Sequence, residues 1–484
     1  MIKEYNITDI VLELERCNLL PTIVFRTSRS QCDSDILKAV NNKALALPIS
    51  QQRAIKDAVY EIAKNYEMEL ELITTHPHYS SLIKTGVGAH HAGQLLMWRL
   101  LLEELMSLGV LKVLCATGTV AAGVDFPART TVVTAHTKRG HDGYNKLLST
   151  EFQQMSGRAG RRGKDIVGFC VAAPSAFCDA RELLKLSKTP PEPLMSAYFP
   201  SPSTVLNLLR YRNVDDLRFT VERSLASFAD KKQAVILEKE AAEVDEKIKV
   251  KEDLVGRLKG HQKDNETKAL TKLIKKSKRL HTQAEELKNK QGTLLDRTIA
   301  GLRQLGHLNN FTLSDKGYWS ANLCTGMVLE LAEIIEAGYF DHISPERLAT
   351  ILAGICGEDH RQYLKASKSP ISDADFQGLN EILKRVQDMN LPGAPTEINV
   401  IVPNAAYTME VWLQAENWQE FRAMLLLNGA AEGDAARLIT QTAEHLNQLK
   451  RLDEKFPKLA KRAEEARRRI LRPPLTEAIN LDSV

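Results

Sequence analysis

The sequence predicts an α/β unit, a parallel sheet with helices on both faces, followed by mainly α regions. Three observations predict it. Short β-branched runs alternate with helical patterns up to about residue 175: PTIVF (21–25), KVLCAT (112–117), TTVVTAH (130–136) and IVGFCVAA (166–173). Strands separated by helix-length segments need crossover connections, and crossovers cover both faces of a sheet. A charged stretch, 232–292, is almost free of aromatics and proline and steps its apolar residues by three and four. From 322 to the end the pattern is helical throughout.

Composition bounds the rest. With 484 residues, 43% hydrophobic and 26% charged, the chain can bury several cores, so two to four domains are expected. A formal net charge of +4 is too mild to argue for nucleic acid by itself. Seven cysteines are scattered, without a CxxC pair or Cys/His spacing suited to zinc. That pattern predicts a reducing, cytoplasmic setting and no structural metal. The N-terminus MIKEYNITDI has neither a signal-type apolar region nor an arginine-rich transit pattern, and no apolar run approaches the ~18 residues of a membrane span.

After the strand-rich part, 181–231 reads as helices with proline breaks. Leu237, Ala241, Val244, Ile248, Val255 and Leu258 form one apolar series. Leu270, Leu273, Ser277, Leu280, Ala284, Leu287, Gln291 and Leu294 form another, which predicts an antiparallel coiled-coil hairpin turning near KGHQKDNE. Its lysines (Lys268, Lys272, Lys275, Lys276, Lys278) read as a solvated helix face in preference to a nucleic-acid contact. LLDRTIAGLRQLGHL followed by FTLSDKGYW predicts a helix feeding a two-stranded wing, with its tight turn at Ser314–Gly317. In TKRGHDGYNKLLS (137–149), Gly140 and Gly143 occupy turn positions, which suits a protruding hairpin or an ordinary surface loop.

The chemistry concentrates in EFQQMSGRAGRRG (151–163). Gln154 to Arg161 spell QxxGRxGR, and the expectation is a helix that begins in a glycine-rich turn. Arg158 and Arg161 would then emerge on one side and converge on one anion. Arginine stays charged and its fork matches two phosphate oxygens. In phosphoryl transfer such a residue neutralises charge on the transferred group. GRAGRRGK is a decoy for a phosphate-cradling P-loop, since GxxxxGK[ST] needs glycine at Arg158 and Ser or Thr at Asp165. The sequence contains no match to that template and no DExH or DExD box.

IVFRTSR (23–29), GVGAHHAG (86–93), KVLCATGTVAAGVDFPA (112–128) and EFQQMSGRAGRRG, in this order, resemble motifs IV, IVa, V and VI of a superfamily 2 helicase, most closely the superkiller-like, exosome-cofactor group. EPLMSAYFPSPSTVLNLLRYRNVDDLRFTVERSLASF (192–228) is similar to the opening of that group's winged helix, and EGDAARLI with ARRRILRPPL to its DSHCT-type helical domain. The resemblance implies a second RecA-like lobe (1–180), a winged helix (181–231 and 293–321) interrupted by the coiled coil (232–292), and a helical ratchet domain (322–484).

It also implies roles. Arg158 and Arg161 would be arginine fingers toward an ATP γ-phosphate, with Gln154 positioning nucleotide or water. Gly123 and Asp125 would lie near the ribose, though Asp125 could equally cap a turn. Phe25, Thr27, Arg29, His90, His91, Gly93 and Thr117 would line a nucleic-acid strand, with Arg437 and Gln441 on the ratchet helix. Phe25, Trp412 and Trp418 also fit plain core positions. His90 and His91, being adjacent, point apart and predict no metal. The implied cofactor is ATP with Mg2+, held mainly by a first RecA-like lobe in cis or trans. The implied partners are RNA, with DNA left open, and RNA-degradation machinery, with no membrane. The rival reading is a stand-alone nucleic-acid-binding or adaptor protein without ATPase activity.

Overall fold

The computed structural model describes residues 5–118, 128–140, 143–175, 177–393 and 400–475. Gly123 and Asp125 lie outside these residues. One sheet is built from β1 (Thr22–Arg26), β2 (Val87–His90), β3 (Val113–Thr117) and β4 (Thr130–Val133). A separate hairpin, β5 (Thr137–Gly140) and β6 (Gly143–Lys146), precedes its last strand, β7 (Phe169–Ala172). The order is β2-β3-β1-β4-β7 and every pairing is parallel.

Alternation along each strand sorts side chains into two apolar layers. Ile23, Phe25, Leu114 and Val133 pack on one face with Ile55, Val59 and Leu102. Val24, Cys115 and Val132 pack on the other with Ile10, Cys32 and Ile36. This is the α/β arrangement that the alternating sequence texture predicts. IVGFCVAA contributes a shorter strand than its eight residues suggest. β7 is the sheet edge, and Ile166 stands fully in solvent with Val167 57% exposed. Within 137–149, β5 and β6 pair antiparallel, with Thr137 opposite Lys146.

Two expectations are corrected. The helix beside the arginines, Ser149–Ser156, precedes the glycine-rich turn instead of following it, so Arg158 and Arg161 lie in a loop after the helix. Gly160 and Gly163 take φ of +95° and +76°, a region that L-residues avoid, and the chain cannot continue as helix there. The second correction concerns the wing. Its strands are only Leu308–Asn309 and Thr312–Leu313, and the turn falls on Asn310 with φ +57°. Ser314 is a helix N-cap, its Oγ accepting the Gly317 amide at 3.0 Å, so SDKG opens the helix Asp315–Ser320.

The hairpin arms run Leu225–Arg257 and His261–Gln304, turning at Gly260 with φ +63°. They exceed the predicted 232–292 because each arm continues into the helices at its base. Ala241, Val244 and Leu280 form the seam, and the base residues Leu295, Ile299 and Leu302 join the large core of the remaining helices. Trp412 and Trp418 are buried in that core, edge to face at 5.2 Å.

Candidate nucleotide and nucleic-acid interface

Parallel strands deliver their C-terminal ends to one side. Arg26 is in register with Thr117, and His90 with Ala116, so the loops bearing the predicted residues leave the same edge of the sheet. Beyond β1, β3 and β4 lies a cleft of about 350 Å³, lined by Phe25, Thr27, Thr117, Val133, Lys138 and Gln154. Phe25 is 3% exposed and belongs to the core, forming the cleft's floor. Thr27 Oγ donates to Gln31 Oε1 at 2.7 Å, and the same oxygen accepts the Thr27 amide, which fixes the turn after β1. Lys138, on the hairpin, pairs with Glu151 on the helix Ser149–Ser156. Gln154 follows one turn later on that helix and is exposed. A cleft of about 440 Å³ opens around Pro21, Gly109 and Lys112, at the opposite ends of the strands, and none of the predicted residues line it.

The arginine loop is tethered to the sheet. Ala128 N–H donates to Arg158 O at 2.9 Å, and Gly160 N–H to Ala128 O at 2.7 Å. Gly168 lets the loop pass, since a Cβ there would stand 2.4 Å from the carbonyl carbon of Ala159. Arg161 does not reach out unpartnered. Its Nε and Nη2 bind the two oxygens of Asp165 at 2.8 and 3.0 Å, and its amide adds a third hydrogen bond. The guanidinium holds the Asp165 carboxyl at about 2, well below the usual carboxylate range.

A second cluster joins the lobe to the C-terminal helices. Arg29 Nη1 lies 2.9 Å from both oxygens of Asp434, which is 2% exposed on the helix Glu432–Lys450. Asp434 also accepts from Arg361 Nη1 at 3.2 Å and the Gln362 amide at 3.3 Å. Arg361 continues to Glu358 at 2.9 Å, and Glu358 takes Arg437 at 3.3 Å. Beside it, Gly433 N–H donates to Gly93 O at 3.0 Å, and a Cβ on Gly433 would come within 2.5 Å of Ala92 O. Arg422, buried, spans Glu432 at 2.7 Å and the Leu72 carbonyl at 2.9 Å.

The two histidines are both buried and held from elsewhere in the lobe. His90 Nε2 is 2.6 Å from Glu103. His91 Nδ1 accepts the Gly93 amide, so Nε2 carries the proton and donates to Asp33 at 2.8 Å. Among the described residues no group of three or more His, Cys, Asp or Glu is arranged to hold a metal. Gln441, one turn beyond Arg437, has its Oε1 buried without a hydrogen-bond partner among the described residues.

The structure therefore gathers the predicted residues into separate groups. Phe25, Thr27, Thr117 and Gln154 share the cleft. Arg158 and Arg161 occupy the loop that continues from Gln154. Arg29, Gly93 and Arg437 belong to the contact with the C-terminal helices. Sequence reasoning missed Asp165, Asp434, Glu358 and Arg361. Asp165 carried a readable signal, an acid four residues after an arginine, whereas the others are brought in by tertiary packing.

Comparison with known proteins gives partial matches of one kind. Residues 310–478 match the DSHCT (NUC185) domain. The chain is 31% identical over 271 residues to the chloroplastic DExH-box ATP-dependent RNA helicase DExH15 of Arabidopsis thaliana, an alignment covering 50% of this chain and 22% of that one. It is 33% identical over 254 residues to Superkiller complex protein 2 of Homo sapiens, covering 49% and 19%. Over these stretches the chain is similar to superkiller-like superfamily 2 helicases. A probable helicase, HelY, of Mycobacterium tuberculosis (strain ATCC 25618 / H37Rv) is 30% identical over 222 residues, covering 46% and 24%. The chain thus spans about a quarter or less of the length of these relatives. The DSHCT match includes the helix that clasps the lobe through Gly433 and Asp434. No helix among the described residues is long and apolar enough to cross a membrane.

Proposed function

We propose that this chain supplies the second RecA-like lobe, winged helix and ratchet domain of an ATP-dependent RNA helicase, and that ATP binds between its arginine loop and a first lobe bearing the P-loop and DExH box. The observation that carries the reading is the Gln154–Arg161 segment. An exposed glutamine and two arginines follow one another into a loop pinned to the sheet, in a sequence with no phosphate cradle of its own. Fingers without a cradle suit a nucleotide held elsewhere. Mg2+ would stay with the first lobe's carboxylates.

In this reading Asp165 keeps the Arg161 guanidinium oriented and charged until phosphate oxygens replace it, a one-for-one exchange of bidentate acceptors. Arg158 and Arg161 then offset charge developing on the transferred phosphoryl group, and Gln154 orients the attacking water. RNA would cross the cleft edge at Thr117 and Thr27 and reach the helix bearing Arg437 and Gln441. The buried Gln441 Oε1, which has no hydrogen-bond partner among the described residues, supports a contact there. Translocation would run 3′ to 5′, and RNA-degradation machinery would be the partner in the cell, with a cytoplasmic setting.

The test is reconstitution. Mixed with a matching first lobe, the chain is expected to hydrolyse ATP in a manner stimulated by RNA, while alone it hydrolyses none. RNA binding by the chain alone, without any hydrolysis in the mixture, would favour the stand-alone binding protein.

A further inference from the structure

The mild net charge of the chain conceals a strong segregation. Residues 245–281, the outer half of the coiled-coil hairpin, hold twelve Lys and Arg against six Asp and Glu, which leaves 53 basic against 55 acidic residues everywhere else. The excess lies on the second arm. Between Thr267 and Ala284 there is no acidic residue at all. At 100° per residue, Lys268, Lys272, Lys275, Lys276 and Arg279 fall within one stripe about 100° wide, turned away from Ser277 and Leu280, which pack on the first arm.

These five are exposed, and no ion pair is formed by any of them among the described residues. Other hairpin cations are neutralised locally, Lys249 by Glu246, Lys251 by Glu266, Lys288 by Glu238 and Lys290 by Asp230. A face selected merely for solubility would carry both signs interspersed. We propose that the Lys268–Arg279 stripe is a second nucleic-acid contact, binding the phosphodiester backbone of RNA without reading its sequence.

The dimensions suit that ligand. Eleven residues of helix rise about 16 Å, and a stacked strand presents one phosphate per ~3.4 Å, so about five charges face five cations. An acidic protein partner fits less well, because no apolar side chain interrupts the stripe. Protein interfaces draw most of their affinity from such anchors. Ile274, the nearest large exposed apolar residue, lies off the stripe. The inference rests on the RNA reading above only for the identity of the ligand.

The experiment measures anisotropy of a fluorescein-labelled 20-nucleotide poly-uridine RNA with the full chain across a salt series. Lys272→Glu/Lys275→Glu/Arg279→Glu is compared with Arg53→Glu/Lys56→Glu/Lys64→Glu, a triple on the exposed side of the lobe helix Ile49–Asn65 that changes formal charge equally. The hairpin triple is expected to bind at least tenfold more weakly at low salt. It should also lower the slope of log K against log salt by about 2, the release of three phosphates' counterions at ~0.7 each. The lobe triple should keep the wild-type slope. Equal losses in both triples, or a hairpin triple that binds like wild type, would overturn the stripe while leaving the helicase reading intact. Loss of labelled poly-glutamate binding with RNA binding retained would overturn it in favour of an acidic protein. Wild-type chain that binds no RNA would overturn this inference and the RNA path together.

Discussion

Replacing Asp434 with alanine attacks the joint between the lobe and the C-terminal helices. The carboxylate is 2% exposed and accepts four hydrogen bonds, two from Arg29, one from Arg361 and one from the Gln362 amide. Removing one partner of a buried ion pair costs about 3–5 kcal/mol, because the other charge stays buried and unpaired. Here the cost sits at the lower end. Arg29 has a side chain 32% exposed and regains water, and Arg361 retains Glu358 at 2.9 Å. A loss of about 3 kcal/mol, at ~2 kcal/mol per M of urea, lowers the unfolding midpoint by about 1.5 M. The transition is read by fluorescence of Trp412 and Trp418, which lie in the core carrying Asp434's helix. In a double-mutant cycle with Arg29→Met, the coupling energy should be about 1–3 kcal/mol. A midpoint within ~0.3 M of wild type, or a coupling near zero, would refute the idea that this pair holds the two parts together.

Other outcomes follow from the same geometry. Gly433→Ala places a Cβ 2.5 Å from the Ala92 carbonyl oxygen, so it should destabilise by about 1–3 kcal/mol and speed proteolysis between lobe and helices, whereas Gly429→Ala, with no neighbour within 4 Å but φ +65°, should cost only its backbone strain. Asp165→Asn should remove a pH-dependent share of stability. Because the folded-state pKa of about 2 lies below the unfolded ~3.9, that share is present above about pH 4 and is lost as pH falls toward 2. Wild-type and variant urea midpoints should converge near pH 2 and separate by pH 5. Thr117→Val keeps volume and removes the hydroxyl at the cleft rim, so RNA affinity should fall about three- to tenfold by anisotropy, consistent with one lost hydrogen bond.

Much of the sheet is legible because buried parallel strands need β-branched and apolar runs, and PTIVF, KVLCAT and TTVVTAH supply them between amphipathic helices. The hairpin is legible for a similar reason, since Ala241, Val244 and Leu280 obey the seam's spacing. The direction of the arginine helix is not. Glycine punctuates both ends of helices, and only the φ values at Gly160 and Gly163 show that the helix stops there. SDKG misleads similarly, because a serine before a turn of helix and a serine in a hairpin turn share one composition.

The grouping of the cleft and loop residues is legible, because short motifs follow strands directly. It is illegible where partners are remote. Arg29 and Asp434 stand 405 positions apart, and nothing in either neighbourhood announces the other. Their meeting also places Arg29, expected along a nucleic-acid strand, in a clasp between the sheet-bearing part and the C-terminal helices. Asp165 likewise changes the picture of Arg161 from an outstretched finger to one already holding a carboxylate.

The central claim is that Arg158 and Arg161 serve a nucleotide whose cradle lies on another lobe. The most direct measurement is RNA-stimulated ATP hydrolysis by the chain mixed with a first lobe, comparing wild type with Arg161→Ala and Arg161→Lys. The account predicts RNA binding unchanged in both and hydrolysis reduced by about three to five decades in Arg161→Ala, with Arg161→Lys recovering only part because a point charge lacks the fork. Hydrolysis by Arg161→Ala at the wild-type rate would contradict it.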